Sequence, residues 1–143
     1  MATEDPSILE AEESAWIEEA RTWVKGHFND DADSKYATLP GKLSVIVAIL
    51  ENGWVGPSET WKLQSLGIAF GDALAQKLML DWVTVNDEYG RAPALRWPGT
   101  SILSFPMTMI SKRVEDGEPV DVHALFEGIC GQLSHMAFSA RAQ

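Results

Sequence analysis

The stretches LQSLGIAFGDALAQKLML at residues 63–80 and DWVTVNDEYGRAPALRW at residues 81–97 decide the fold. In the first stretch, large apolar residues recur at the spacing of one helix face: Leu63, Leu66, Phe70, Leu74 and Leu78. The second stretch is rich in strand formers on either side of the turn-forming residues 87–90. Pro93 confines the second of these strands to a sheet edge or a bulge, because proline has no backbone N–H to donate. With a third strand at 101–105, the pattern predicts a long helix followed by a small antiparallel β-meander.

Further helices are predicted on both sides of this meander. An acidic amphipathic helix spans about 7–25, and residues 106–114 and the segment after Asp121 predict two more. Residues 43–50 are apolar on more than one face and predict a central helix, although their β-branched side chains leave a buried strand as the alternative. The fold class is therefore α+β, with several helices packed around a small antiparallel β-meander. No linker is long enough to divide residues 1–143, so a single domain is predicted.

Charge and composition exclude several classes of partner. The 143-residue chain has a net charge of −10 and 45% hydrophobic residues, and such a charge repels nucleic acid and anionic membranes. Up to Asp33 the sequence holds ten acidic residues against Arg21 and Lys25. The sequence has one cysteine, Cys130, and lacks a basic, apolar leader, so a reducing cytoplasmic location is predicted. No metal or cofactor is predicted, because neither the histidines nor the Asp-rich segment 29–33 follows a known ligand spacing.

Four short stretches between residues 66 and 122 carry a resemblance. They are LGIAFGD at 66–72, WVTVNDEYGR at 82–91, PGT at 98–100 and FPMTMISKRVEDGE at 105–118. Together they resemble an uncharacterised bacterial family of domains of unknown function. The resemblance implies a bacterial cytoplasmic setting and assigns no catalytic residue.

The long helix over residues 63–80 carries the first candidate site. Gly67 and Gly71 are four residues apart, so both missing side chains lie on one face and allow another backbone to approach closely. Glycine costs up to about 1 kcal/mol against alanine inside a helix, so packing against a neighbouring element is expected to offset it. Asp72 then lies near a crowded interface and needs a hydrogen-bond donor, for which Arg96 is the predicted partner.

Three further candidate binding residues lie outside that helix. Tyr89 and Arg91 flank the hairpin turn, and both are residue types enriched at binding hot spots. Trp54 lies in the sequence NGWVG, where it is difficult to bury, and is the best candidate for an exposed anchor. The polar face of the first helix, with Glu12, Glu13, Glu18 and Glu19, is expected to be solvated, with recruitment of a basic partner by this face as the alternative.

These features favour a non-enzymatic cytoplasmic interaction protein that binds a basic protein partner, with an immunity-type role as one form of that function. The alternative is a small-ligand-binding protein or enzyme with a pocket between the Gly67/Gly71 helix and the sheet. That alternative requires Asp72, Tyr89, Arg91 and Arg96 to converge on one concave site.

Overall fold

The long helix predicted from residues 63–80 forms the centre of the fold. The computed structural model describes residues 8–141, in which the helices are α1 (Ala11–Lys25), α2 (Ala32–Tyr36), α3 (Leu39–Glu51), α4 (Thr60–Leu78), α5 (Ser111–Glu115) and α6 (Val122–Arg141). The strands are β1 (Asp81–Asp87), β2 (Gly90–Arg96) and β3 (Leu103–Ser104), and a 3-10 helix spans Pro106–Thr108. Helix α4 packs against α1, α3, α5, α6 and the 3-10 helix. The predicted α+β class, with helices around a small antiparallel sheet, is confirmed.

Helices α3 and α4 form the apolar centre. Residues 65–74 of α4 are all buried, so this helix is covered on nearly every face and not only along its predicted apolar stripe. Residues 43–50 are helical, and the strand alternative is wrong. The Thr38 side chain accepts a hydrogen bond from the Gly41 N–H at 3.0 Å and caps the start of α3.

The sheet has the predicted order β1-β2-β3, with both neighbouring pairs antiparallel. Strand β3 is shorter than predicted and pairs only with Leu95 and Arg96. Pro93 therefore lies on the middle strand but beyond the end of β3, where β2 is locally an edge. This position satisfies the restriction that proline imposes.

Residues 8–10 lie beside β1 instead of extending the first helix. The Thr84 N–H donates to the Ile8 carbonyl at 2.8 Å, and the Glu10 N–H donates to the Thr84 hydroxyl at 2.9 Å. Helix α1 therefore begins at Ala11, later than predicted. The cap predicted at Ser7 lies outside the described residues.

Residues 106–114 form two short helices instead of the predicted single one. The 3-10 helix at Pro106–Thr108 is followed by α5, and Gly117 adopts a φ of 74° just beyond α5. The last helix begins as predicted, since the Asp121 carboxylate accepts from the Ala124 N–H at 3.0 Å.

The two glycines of α4 face a neighbouring element, as predicted. A Cβ atom at Gly67 would lie 2.5 Å from the carbonyl oxygens of Pro106 and Met107. At Gly71 it would lie 2.6 Å from the Trp82 ring and 2.7 Å from Pro106. The face of α4 at Gly67 and Gly71 is therefore filled by protein atoms and leaves no room for a ligand at these two positions.

Candidate functional site

Trp23, His27, Trp54 and Trp61 form an aromatic cluster where the end of α1 meets the turn between α3 and α4. The His27 and Trp54 rings are stacked with centroids 5.7 Å apart, and Trp23 makes edge contacts with His27 at 4.6 Å and Trp61 at 6.2 Å. Trp54 is 50% exposed and Trp61 40% exposed. Trp54 is thus exposed as predicted, but it is one member of a larger surface.

His27 holds this cluster in place. Its Nδ1 atom lies 2.9 Å from the Trp23 carbonyl oxygen. Because a carbonyl oxygen only accepts, Nδ1 carries the proton and donates it, which fixes the orientation of the ring. The imidazole can then support the Trp54 indole from one side.

Asp72 is the acceptor at the centre of a second, largely buried cluster. Its Oδ1 accepts from Arg21 Nη2 at 2.7 Å and Trp82 Nε1 at 2.9 Å. Its Oδ2 accepts from Arg21 Nε at 2.8 Å and Tyr36 Oη at 2.5 Å. The prediction that Asp72 pairs with Arg96 is wrong, because α1 crosses α4 and brings Arg21 to the carboxylate first.

The electrostatics of this cluster follow from burial. Burial, and then the Asp72 charge, raise the pKa of Tyr36 far above its ordinary value, so its phenol stays protonated and donates. The hydrogen bond to Asp72 raises the pKa of Arg21 further, against the effect of burial. The Tyr36 phenol and the Arg21 guanidinium therefore both remain donors to Asp72 at physiological pH.

Arg21 and Tyr36 were not predicted as site residues. Tyr36 directly follows the polar segment 29–35, and nothing in that local sequence indicates that it is buried. Arg21 does carry a signal: it follows Ile17 by one helical turn, next to the apolar stripe of α1. A cation beside an apolar stripe needs an acceptor on the element that the stripe packs against.

Arg91 connects the hairpin to the acidic helix. Its guanidinium lies 2.7 Å from Glu13 and 3.3 Å from Glu10. Glu13 also accepts from the Thr84 hydroxyl at 3.1 Å, and only 6% of its surface is exposed. The expectation of a solvated Glu13 is wrong, because Glu13 shares the buried stripe of α1 with Ile17, Ala20 and Val24.

This contact predicts a pH-dependent contribution to stability. The hydrogen bond from Arg91 lowers the pKa of Glu13 below its ordinary value, so the stabilisation is present above about pH 4.3 and is lost as the pH falls through the lowered value. We expect Glu13→Gln to be less stable than wild type at neutral pH, with the difference shrinking at acid pH. Urea unfolding at a series of pH values measures this, with the exposed Glu19→Gln as the control. A difference that does not change with pH would contradict an ionised Glu13.

The remaining candidate residues lie apart from Asp72. Tyr89 is 90% exposed at the hairpin tip and shares a cavity of about 410 Å³ with Arg91 and Phe105. Arg96 is partly buried at the other end of β2, opposite Asp81. The four residues therefore do not converge on one concave site.

Two classes of feature are absent from the part of the chain that the structure describes. No three His, Cys, Asp or Glu side chains between residues 8 and 141 are arranged to hold a metal ion. Within the same range, no helix is long and apolar enough to cross a membrane.

Comparison with known proteins agrees with this fold. A crystal structure of a protein from Bacteroides thetaiotaomicron VPI-5482 is similar, with a TM-score of 0.68 and 19% identity over 85% of this chain and 45% of that one. This chain thus spans less than half of the length of that protein, and the likeness is one of fold alone. The sequence matches no curated protein. Residues 42–126 match the family described as a domain of unknown function, DUF3806. This match covers more than half of the chain, so the chain belongs to the DUF3806 family.

Proposed function

We propose that the protein is a non-enzymatic interaction protein of the bacterial cytoplasm that binds a basic protein partner through the aromatic cluster. The observation that supports this is the exposure of Trp54 and Trp61, at 50% and 40%. Indole rings bury on the order of 200 Å² each when they are covered. Two partly uncovered indoles on one surface therefore offer substantial apolar area to a partner.

Ring contacts within the aromatic cluster hold its side chains in place before a partner binds. Trp54 rests on His27, and His27 and Trp61 both contact Trp23. Side chains held before binding lose little conformational entropy when a partner covers them. Tryptophan is also among the residue types that contribute most to binding free energy at protein interfaces.

Charge favours a basic partner for this surface. Exposed acidic residues flank the cluster along the chain: Glu19 precedes Trp23 by one helical turn, and Glu51 precedes Trp54 by three residues. The net charge of −10 steers a basic protein toward the chain. A lysine or arginine of the partner can then lie over an exposed indole, which attracts cations through its π face.

An immunity-type role is one form of this function. In such a role an acidic protein covers a basic toxin and prevents it from acting. A contact of this kind needs affinity and fast association but no catalytic group, in agreement with an Asp72 cluster whose acceptors are all occupied.

The test compares the proteins captured by three forms of the chain from a lysate of the native host. We expect the wild type and Phe138→Ala, which removes an exposed ring of α6, to capture the same basic protein. The double variant Trp54→Ala/Trp61→Ala is expected to bind it about 30-fold more weakly or worse, as removal of a hot spot does. The wild-type association rate should fall as salt is added.

Circular dichroism must show that all three forms are folded. Capture of the partner by the double variant at wild-type affinity would contradict the proposal. An association rate that does not depend on salt would contradict the electrostatic part of it.

A further inference from the structure

A cavity of about 420 Å³ lies beside the Asp72 cluster, away from the aromatic cluster. Its walls come from α1, α2, α3 and α4, and the charged side chains that line it are Glu18, Arg21, Lys25, Asp33, Lys42 and Asp72. Small-molecule sites occupy roughly 300–1,000 Å³, so the cavity is of a size that suits a small ligand.

Most of these charges are already paired within the protein. Arg21 is bound by Asp72 and by Glu18. Lys25 lies 3.1 Å from Asp33. Each of these two cations therefore has a carboxylate of its own.

Lys42 is different. Only 7% of its surface is exposed, and its Nζ donates to the neutral Gln76 Oε1 at 2.6 Å. Gln76 is held in that orientation, since its Nε2 donates to the Ala37 carbonyl at 3.1 Å. Among the described residues, no carboxylate lies within ion-pair distance of Lys42. A buried ammonium without such a partner is costly, because the protein replaces its water shell only in part.

Two of the three N–H groups of Lys42 are left for a ligand. The Tyr36 ring lies beside them, with Nζ 5.1 Å from its centroid. The face of the Tyr36 ring stabilises the Lys42 ammonium less than a bound anion would. Burial lowers the pKa of Lys42, and the charge of Asp72, which lies beyond ion-pair distance, offsets this only in part. A bound carboxylate would oppose the effect of burial further. A ligand carboxylate would therefore supply the acceptor that the Lys42 ammonium lacks at the base of the cavity.

The open side of the cavity has the opposite charge. Asp33 and Glu18 line it with side chains that are 91% and 62% exposed. Each uses one oxygen on a neighbouring cation and keeps acceptor capacity for another donor. A ligand with a carboxylate at one end and an ammonium at the other offers an acceptor to Lys42 and a donor to the remaining oxygens of Asp33 and Glu18, which are already paired with Lys25 and Arg21.

We propose that this cavity binds a free amino acid, with the ligand carboxylate on Lys42 and the ligand ammonium on Asp33 and Glu18. This inference is independent of the partner-binding surface, because the two sites share no side chain.

The test uses NMR spectra of the full chain titrated with each free L-amino acid at millimolar concentration. The Trp82 indole N–H reports on the site because it donates to Asp72. We expect at least one amino acid to shift this resonance. Its analogue without the amino group and its analogue without the carboxylate should each bind about tenfold more weakly or worse, since each loses a charged hydrogen bond.

Two variants and one control complete the experiment. Lys42→Met keeps the apolar stem and should abolish binding, while Lys35→Met, which removes an exposed cation paired with Asp30 outside the cavity, should not. Asp33→Asn should weaken binding of the amino acid but not of the deaminated analogue, and this holds even if Lys42→Met fails to fold. The proposal is overturned if no amino acid binds, if Lys42→Met binds normally, or if the deaminated analogue binds as tightly as the amino acid.

Discussion

Asp72→Ala is expected to lower the free energy of unfolding by about 3 kcal/mol or more, because it leaves a partly buried guanidinium, a phenol and an indole without their acceptor. Asp72→Asn should be milder. Its oxygen can still accept from Trp82 and Arg21, and its amide can donate to the Tyr36 hydroxyl. The loss of the negative charge next to Arg21 remains in both variants. Urea unfolding followed by circular dichroism measures the two effects.

The matched control is Asp33→Asn. This carboxylate also belongs to an ion pair, with Lys25, but it is 91% exposed, so a change of a few tenths of a kcal/mol is expected. Replacing Arg21 and Asp72 together with apolar residues should cost less than Asp72→Ala alone, because no charge is then left buried. A cost for Asp72→Ala no larger than that of the control would show that the cluster is not a structural centre.

Gly67→Ala is expected to destabilise the protein by about 1–3 kcal/mol, although alanine is the better helix former. The added methyl group would lie 2.5 Å from two carbonyl oxygens of the 3-10 helix, and backbone atoms cannot turn aside as a flexible side chain can. Either α4 or the 3-10 helix must therefore move.

The chain offers a control of opposite sign. Gly128 and Gly131 lie in α6, and a Cβ at either position would meet nothing within 4 Å. Gly131→Ala should therefore stabilise by up to about 1 kcal/mol. Thermal unfolding of both variants checks the pair of predictions, and a shift in the same direction for both would contradict the packing assigned to Gly67.

The central helix and the hairpin could be predicted because their signals are local. The apolar spacing of residues 63–78 is visible within a few helical turns. The turn residues between β1 and β2 are adjacent in the sequence. The partner of Asp72 could not be predicted in this way. Arg21 is 51 residues away, and the contact depends on how α1 crosses α4, which no local pattern specifies.

The burial of Glu13 is indicated by its spacing from the apolar residues of α1, although the acidic composition around it suggests exposure. Surrounded by other glutamates, it is expected on the solvated face, yet it precedes Ile17 by four residues and so belongs to the buried stripe. The binding role of Trp54, Tyr89 and Arg91 stays a prediction. The structure shows where these side chains lie, and function depends on partners that no residue pattern names.

The short backbone segment at residues 8–10 covers part of the outer edge of β1. An uncovered strand edge presents N–H and C=O groups that another chain can pair with, and it is a common starting point for intermolecular sheets. In this fold the outer edge of β1 is covered at Thr84 by its bonds to Ile8 and Glu10. Proteolysis or truncation before Ala11 would expose that edge, next to the apolar residues Trp82 and Val83. Residues 8–10 belong to neither proposed site. Their loss would favour aggregation of the protein at high concentration.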